Sequence, residues 1–122
     1  MTDQATSPGP SRILIVEDDG VVALRIERLL TDLGYTVSGI VSAGEQALSS
    51  VEGHPPDLVL IAIHLAGAMD GIETAARIRT RFDVPIVYLS TYSEHMVLEK
   101  VKHTQPYGFL TKPVRDQELG AM

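Results

Sequence analysis

Leu58-Val59-Leu60-Ile61-Ala62-Ile63 is an unbroken apolar run, preceded by His54-Pro55-Pro56-Asp57 and followed by a glycine-containing loop from Ala66 to Gly71. A short run bounded by breakers reads as a strand buried on both faces, because a strand with one wet face alternates apolar and polar side chains. Two further runs share this character, Ile13-Leu14-Ile15-Val16 and Ile86-Val87-Tyr88-Leu89. Between them the period changes. Val22, Ile26, Leu29, Leu30 and Leu33 recur on one face of a helix. Asp19 stands where an N-cap belongs and Gly34 where a helix C′ residue belongs.

The rest of the chain repeats the pattern. Residues 35–40 alternate and suit a half-exposed strand; a short helix is expected over 43–51, with Ala47, Leu48 and Val51 facing inward. A helix over 72–81 follows the second run. A helix over 93–103, a strand over 107–110 and a helical start at Val114 complete the order. Strand and helix thus alternate throughout, with strong strands in the middle and weak ones at the edges. Right-handed crossovers convert such an order into a parallel sheet with helices on both faces.

Composition narrows the function. The chain of 122 residues fits one domain, with 1–11 a disordered lead-in and 12–122 the folded part. Ten basic against sixteen acidic residues leave a net charge of −6, which disfavours binding to nucleic acid, where clustered Lys and Arg are needed. The lack of cysteine excludes disulfides, thiol catalysis and Cys-ligated metals. No apolar stretch is long enough to cross a bilayer and no signal peptide opens the chain, so a cytoplasmic protein is expected.

In a doubly wound sheet the reactive groups gather at the carboxyl ends of the strands. Here those ends carry Glu17, Asp18 and Asp19, then Ser90 and Thr91, then Thr111-Lys112-Pro113. Carboxylates, a hydroxyl and a lysine at one edge suit Mg²⁺ and a phosphoryl group: Mg²⁺ takes hard oxygen ligands, and cations neutralise phosphoryl oxygens. Each group alone is better explained as a turn, a cap or an exposed side chain. Brought to one edge by different strands, they point to a site.

The stretches ILIVEDD (13–19), PDLVLIAIHLAGAMDGIETAARIR (56–79), VPIVYLST (84–91) and YGFLTKP (107–113) resemble the receiver domain of two-component response regulators, from Arg12 to the chain end. The resemblance implies a flavodoxin-like, five-stranded parallel sheet in the order 2-1-3-4-5. It implies that a histidine kinase or histidine phosphotransfer protein donates a phosphoryl group to an Asp at the end of the third strand. By position, Glu17 and Asp18 match the acidic pair that binds Mg²⁺, and His64 supplies a backbone carbonyl to the metal. Ser90 matches the hydroxyl that bonds a phosphoryl oxygen, and Lys112 the lysine that pairs with the phosphate. Phe109 occupies the aromatic switch position that moves with Ser90, and Pro113 follows the lysine where the family has a cis peptide bond.

The departure falls at the phosphoacceptor, where this chain has Ala62. A methyl group has no lone pair with which to attack phosphorus, and its presence removes a metal ligand. Asp57, five residues back, belongs near the opposite end of the sheet at about 3.3 Å per residue. Asp70 matches an ordinary loop residue of the MDG segment, and His64 reads as a loop histidine. Because Glu17, Asp18, Ser90 and Lys112 all remain, Ala62 reads as an engineered Asp→Ala change in a working site. A natural pseudo-receiver acting by protein contact is the alternative.

A last helix from 114 to 122 would span roughly 13 Å at 1.5 Å per residue, short for this family. Apolar surface near Met96, Val97 and Val101 would then stay uncovered, and self-association through the fourth helix, fifth strand and fifth helix is expected. A nucleotide or flavin binder on the same fold is the main rival, but neither GxGxxG nor GxxxxGK[ST] is present. No triad or carboxylate pair suited to hydrolysis stands out, so no enzymatic turnover is expected.

Overall fold

A computed structural model describes residues 11–89, together with the backbone of Ser90 and of residues 108–111. The apolar runs become β1 (Arg12–Val16), β3 (Leu58–Ala62) and β4 (Ile86–Ser90), while β2 (Thr36–Val41) and β5 (Gly108–Thr111) flank them. The helices are α1 (Gly20–Asp32), α2 (Gly44–Gly53) and α3 (Gly71–Arg81). Every strand pairing is parallel and the order is β2-β1-β3-β4-β5. This is the flavodoxin-like topology that the resemblance implies.

The pleat divides the core. Ile13, Ile15, Leu60, Val87 and Leu89 pack with Ala23, Ile26 and Leu30 of α1 on one face. Leu14, Val16, Val59, Ile61, Ile86 and Tyr88 pack with Ala47 and Val51 of α2 and Ala75 and Ile78 of α3 on the other. β1, β3 and β4 are wet on neither face, which is why they read as continuous apolar runs. β2, on the edge, alternates between exposed and half-buried positions. Each large aliphatic side chain fully buried here contributes about 1.5–3 kcal/mol relative to exposure.

Helix ends explain several boundaries. The Asp19 carboxylate accepts from the Val21 and Val22 amides and caps α1. Gly34 has φ of 97°, the left-handed conformation that ends a helix without steric cost. Leu33, expected on the inner face of α1, is instead its C-cap and 41% exposed, whereas Ala23 is buried in its first turns. β2 begins at Thr36 rather than Tyr35, because the Tyr35 amide donates to the Leu30 carbonyl and belongs to the turn that ends α1. The β1–β2 ladder then slips between Ile13 and Leu14, skipping Ser38. β3 ends at Ala62, since the Ile63 carbonyl accepts from the Gly71 amide of α3 rather than joining the ladder. β5 runs over Gly108–Thr111, one residue later than expected.

Among the described residues no helix is long and apolar enough to cross a membrane. The N-terminal tail to residue 10, the helix expected over 93–103 with Met96, Val97 and Val101, and the helix expected from Val114 lie outside the described residues.

Candidate functional site

The site is built by register. Val16 of β1 is level with Ile61 of β3, so the next residues, Glu17 and Ala62, emerge side by side at the carboxyl end of the sheet. Ala62 is level with Leu89 of β4, and Leu89 with Leu110 of β5. One step further, Ser90 is level with Thr111, the last residue of β5. Three of the residue positions singled out in the sequence, 17, 62 and 90, therefore share one edge through their backbones. Lys112 and Pro113 lie outside the described residues. Phe109 is paired by its backbone with Tyr88.

Glu17 is buried, unusually for a carboxylate, and Ala62 is fully buried beside it in register. The Glu17 amide donates to the Val41 carbonyl at 2.9 Å, tying the end of β1 to the end of β2. Its Oε2 accepts from the Asp19 amide at 3.2 Å. Asp18 is exposed, and Asp19 is committed to capping α1. The acidic triplet thus divides by role into a buried carboxylate, an exposed one and a helix cap.

The two aspartates that could be imagined to replace a carboxylate at position 62 are both engaged elsewhere. Asp57 Oδ2 accepts from the Arg12 amide at 2.7 Å, at the start of β1 and the far end of the sheet. Asp70 caps α3, its Oδ1 accepting from the Glu73 amide at 2.8 Å, while its carbonyl accepts from the Thr74 hydroxyl. His64 is exposed in the turn leaving β3.

That turn is gripped from two sides. The Gly71 amide donates to the Ile63 carbonyl at 2.5 Å. A Cβ at Gly71 would overlap the Ala62 carbonyl and press on the Ile63 Cα, so only glycine lets α3 approach the end of β3. From the other side, the Ala66 amide donates to the Ser42 carbonyl at 3.3 Å, and Ala43 and Ala66 form an isolated parallel bridge. Sequence reading missed this second grip. Its local trace is Gln46, whose amide oxygen accepts from the amides of Ser42 and Ala43 and from the Ser42 hydroxyl. Gln three residues after an N-cap is a helix-start signature, but Ala43 at the cap position hides it.

The donors here are hard oxygens, which fit Mg²⁺ in kind. In number they fall short, because Ala62 offers none: among the described residues no three His, Cys, Asp or Glu side chains come together to hold a metal. The residues that would hold the ion are Glu17 and Asp18.

Residues 13–122 match the response regulator receiver domain family, to which this chain belongs. It is 30% identical over 118 residues to the transcriptional regulatory protein PdtaR of Mycobacterium tuberculosis, covering 97% of this chain and 57% of that protein. The chain spans about half the length of the curated relatives it matches. Among solved structures it resembles the signal receiver domain of a modulated diguanylate cyclase from Desulfovibrio desulfuricans G20. The TM-score is 0.84 and the identity 35%, with 92% of this chain and 89% of that one covered. It also resembles the receiver domain of the sensor histidine kinase PA1611 from Pseudomonas aeruginosa PAO1, which has magnesium coordinated in its active-site cleft. There the TM-score is 0.81 and the identity 31%, covering 93% of both chains. The chain is thus a two-component receiver domain, a class of signalling module that binds Mg²⁺ at its active site.

Proposed function

We propose that this receiver domain is one whose phosphoacceptor position is filled by Ala62, so that it takes part in phosphorelay signalling without accepting the phosphoryl group. The observation that carries the reading is the register that sets Ala62, the last residue of β3, beside buried Glu17. An Asp in that place would project its carboxylate next to the acidic pair, where an attacking oxygen and a metal ligand are needed together. The methyl group supplies neither.

The remaining roles follow the same reading. Glu17, Asp18 and the His64 carbonyl hold Mg²⁺, weakly in the absence of a third carboxylate. When bound, the ion supplies charge neutralisation for phosphoryl oxygens. Ser90 donates to one of those oxygens and Lys112 pairs with another, while Phe109 follows Ser90 in the switch and Pro113 turns the chain after the lysine. The partner is a histidine kinase or histidine phosphotransfer protein in the cytoplasm. Magnesium bound in the receiver domain of PA1611 supports the metal assignment.

Retention of Glu17, Asp18, Ser90 and Lys112 in the sequence favours an engineered Asp→Ala change in a working site. A natural pseudo-receiver is the second reading, and the codon for residue 62 in the parent gene separates the two. Beryllofluoride bonds to the carboxylate of a receiver's acceptor Asp. Fluorine NMR with Mg²⁺ is expected to show protein-bound fluoride in Ala62→Asp and none in the Ala62 chain. Bound fluoride in the Ala62 chain, or none in a folded Ala62→Asp variant, would overturn the reading.

A further inference from the structure

The loop that leaves β3 carries His64, which is exposed. The start of α2 holds this loop through the Ser42 carbonyl, which accepts from the Ala66 amide. Gln46 turns its side chain back over the helix start, and one amide oxygen gathers the Ser42 amide at 3.0 Å, the Ser42 hydroxyl at 3.2 Å and the Ala43 amide at 3.2 Å. These bonds hold the Ser42–Ala43 peptide in one orientation, and the Ser42 carbonyl at its edge accepts from Ala66, two residues beyond His64. The neighbouring Glu45 lies over the same loop: a Cβ at Gly67 would come within 3.1 Å of Glu45 Oε1, and Gly67 sits at φ 94°. With Gly71 holding Ile63, the loop is pinned on both sides of His64.

We propose that Gln46 is a positioning residue for the metal-binding loop, acting through the Ser42 carbonyl and the Ala66 amide to aim the backbone carbonyl of His64. The proposal rests on the assignment of Mg²⁺ to the carboxyl end of the sheet. Gln46 and Ser42 are exposed, so neither contributes to the core, and removing the Gln46 acceptor loosens the strap while leaving the packing of α2 through Ala47 and Val51 in place. Partners that orient a metal's direct ligands commonly alter affinity by about 10–100-fold when lost. An exposed strap closed by a 3.3 Å bond belongs at the low end.

The test uses the full chain with Ala62→Asp, which restores the third carboxylate. Mg²⁺ affinity is measured by calorimetry in this background alone, with Gln46→Ala and with Gln46→Glu, and exchange of the Ala66 amide is followed by NMR. Gln46→Ala is expected to weaken Mg²⁺ binding by about tenfold and to speed Ala66 exchange. Gln46→Glu, which keeps an acceptor oxygen, restores both. Unchanged Mg²⁺ affinity in Gln46→Ala, with Ala62→Asp itself binding the ion, overturns the positioning role alone. A folded Ala62→Asp variant that binds no Mg²⁺ overturns the metal assignment and this proposal with it. Equal loss in Gln46→Ala and Gln46→Glu also overturns it, because the acceptor would then not be what matters.

Discussion

Val16 is level with Ile61 in the β1–β3 ladder, and that single register relation brings Glu17 beside Ala62. Glu17 is the buried carboxylate of the three that follow β1. An Asp at position 62 would set a second carboxylate beside it in a buried place.

Ala62→Asp is therefore expected to lower stability by about 1–3 kcal/mol without Mg²⁺, the usual cost of burying an uncompensated polar group. Millimolar Mg²⁺ should restore much of that loss, because an ion that binds only the folded state stabilises it by mass action. Urea unfolding of both chains with and without the ion checks this. The Ala62 chain should respond to Mg²⁺ far less.

Gly71→Ala should cost about 1–3 kcal/mol through overpacking, because the new Cβ meets the backbone of Ala62 and Ile63 rather than a side chain that could turn away. Gly20→Ala is the control. Nothing lies within 4 Å of a Cβ there, so its effect should stay within about 1 kcal/mol, the scale of helix propensity. Urea midpoints of the two variants make the comparison.

Asp19→Ala should cost about 1 kcal/mol, the usual value of an N-cap side chain, since it strands the Val21 and Val22 amides. Asp19→Asn should recover most of it. Thermal unfolding of both variants tests whether Asp19 serves α1 alone: in the Ala62→Asp background neither change should alter Mg²⁺ affinity more than about twofold, as capping acts on the helix terminus.

Much of the fold was legible because β1, β3 and β4 are dry on both faces and show it as unbroken apolar runs. The capping of α1 was legible too, since Asp19 acts within three residues of its own position. Leu33 misled because helical periodicity does not say where the helix stops, and at a C-cap an apolar side chain faces water. Ala23 was overlooked because a methyl group adds little to a hydrophobic pattern, yet it fits where α1 lies close to the sheet. The start of β2 shifted because Tyr35 gives its amide to Leu30, a choice made by the turn and not by side-chain alternation.

The placing of positions 17, 62 and 90 at one edge of the sheet was legible, because consecutive residues after a buried strand must emerge at the edge. The strap from Gln46 through Ser42 to Ala66 was not. It joins backbone groups far apart in the chain, and backbone groups carry no sequence signal. Asp70 was read as a loop residue and is a helix cap; the glycine after it permits the approach of α3 that makes it one.

The most direct test of the central claim is labelling with a small phosphodonor such as acetyl phosphate in Mg²⁺, read by intact mass and then by fragmentation to locate the modified residue. The Ala62 chain is predicted to remain unmodified, and Ala62→Asp to gain one acid-stable, base-labile phosphoryl group at residue 62. Label on the Ala62 chain at Asp57, His64 or Asp70, or a folded Ala62→Asp variant that takes none, would contradict the account.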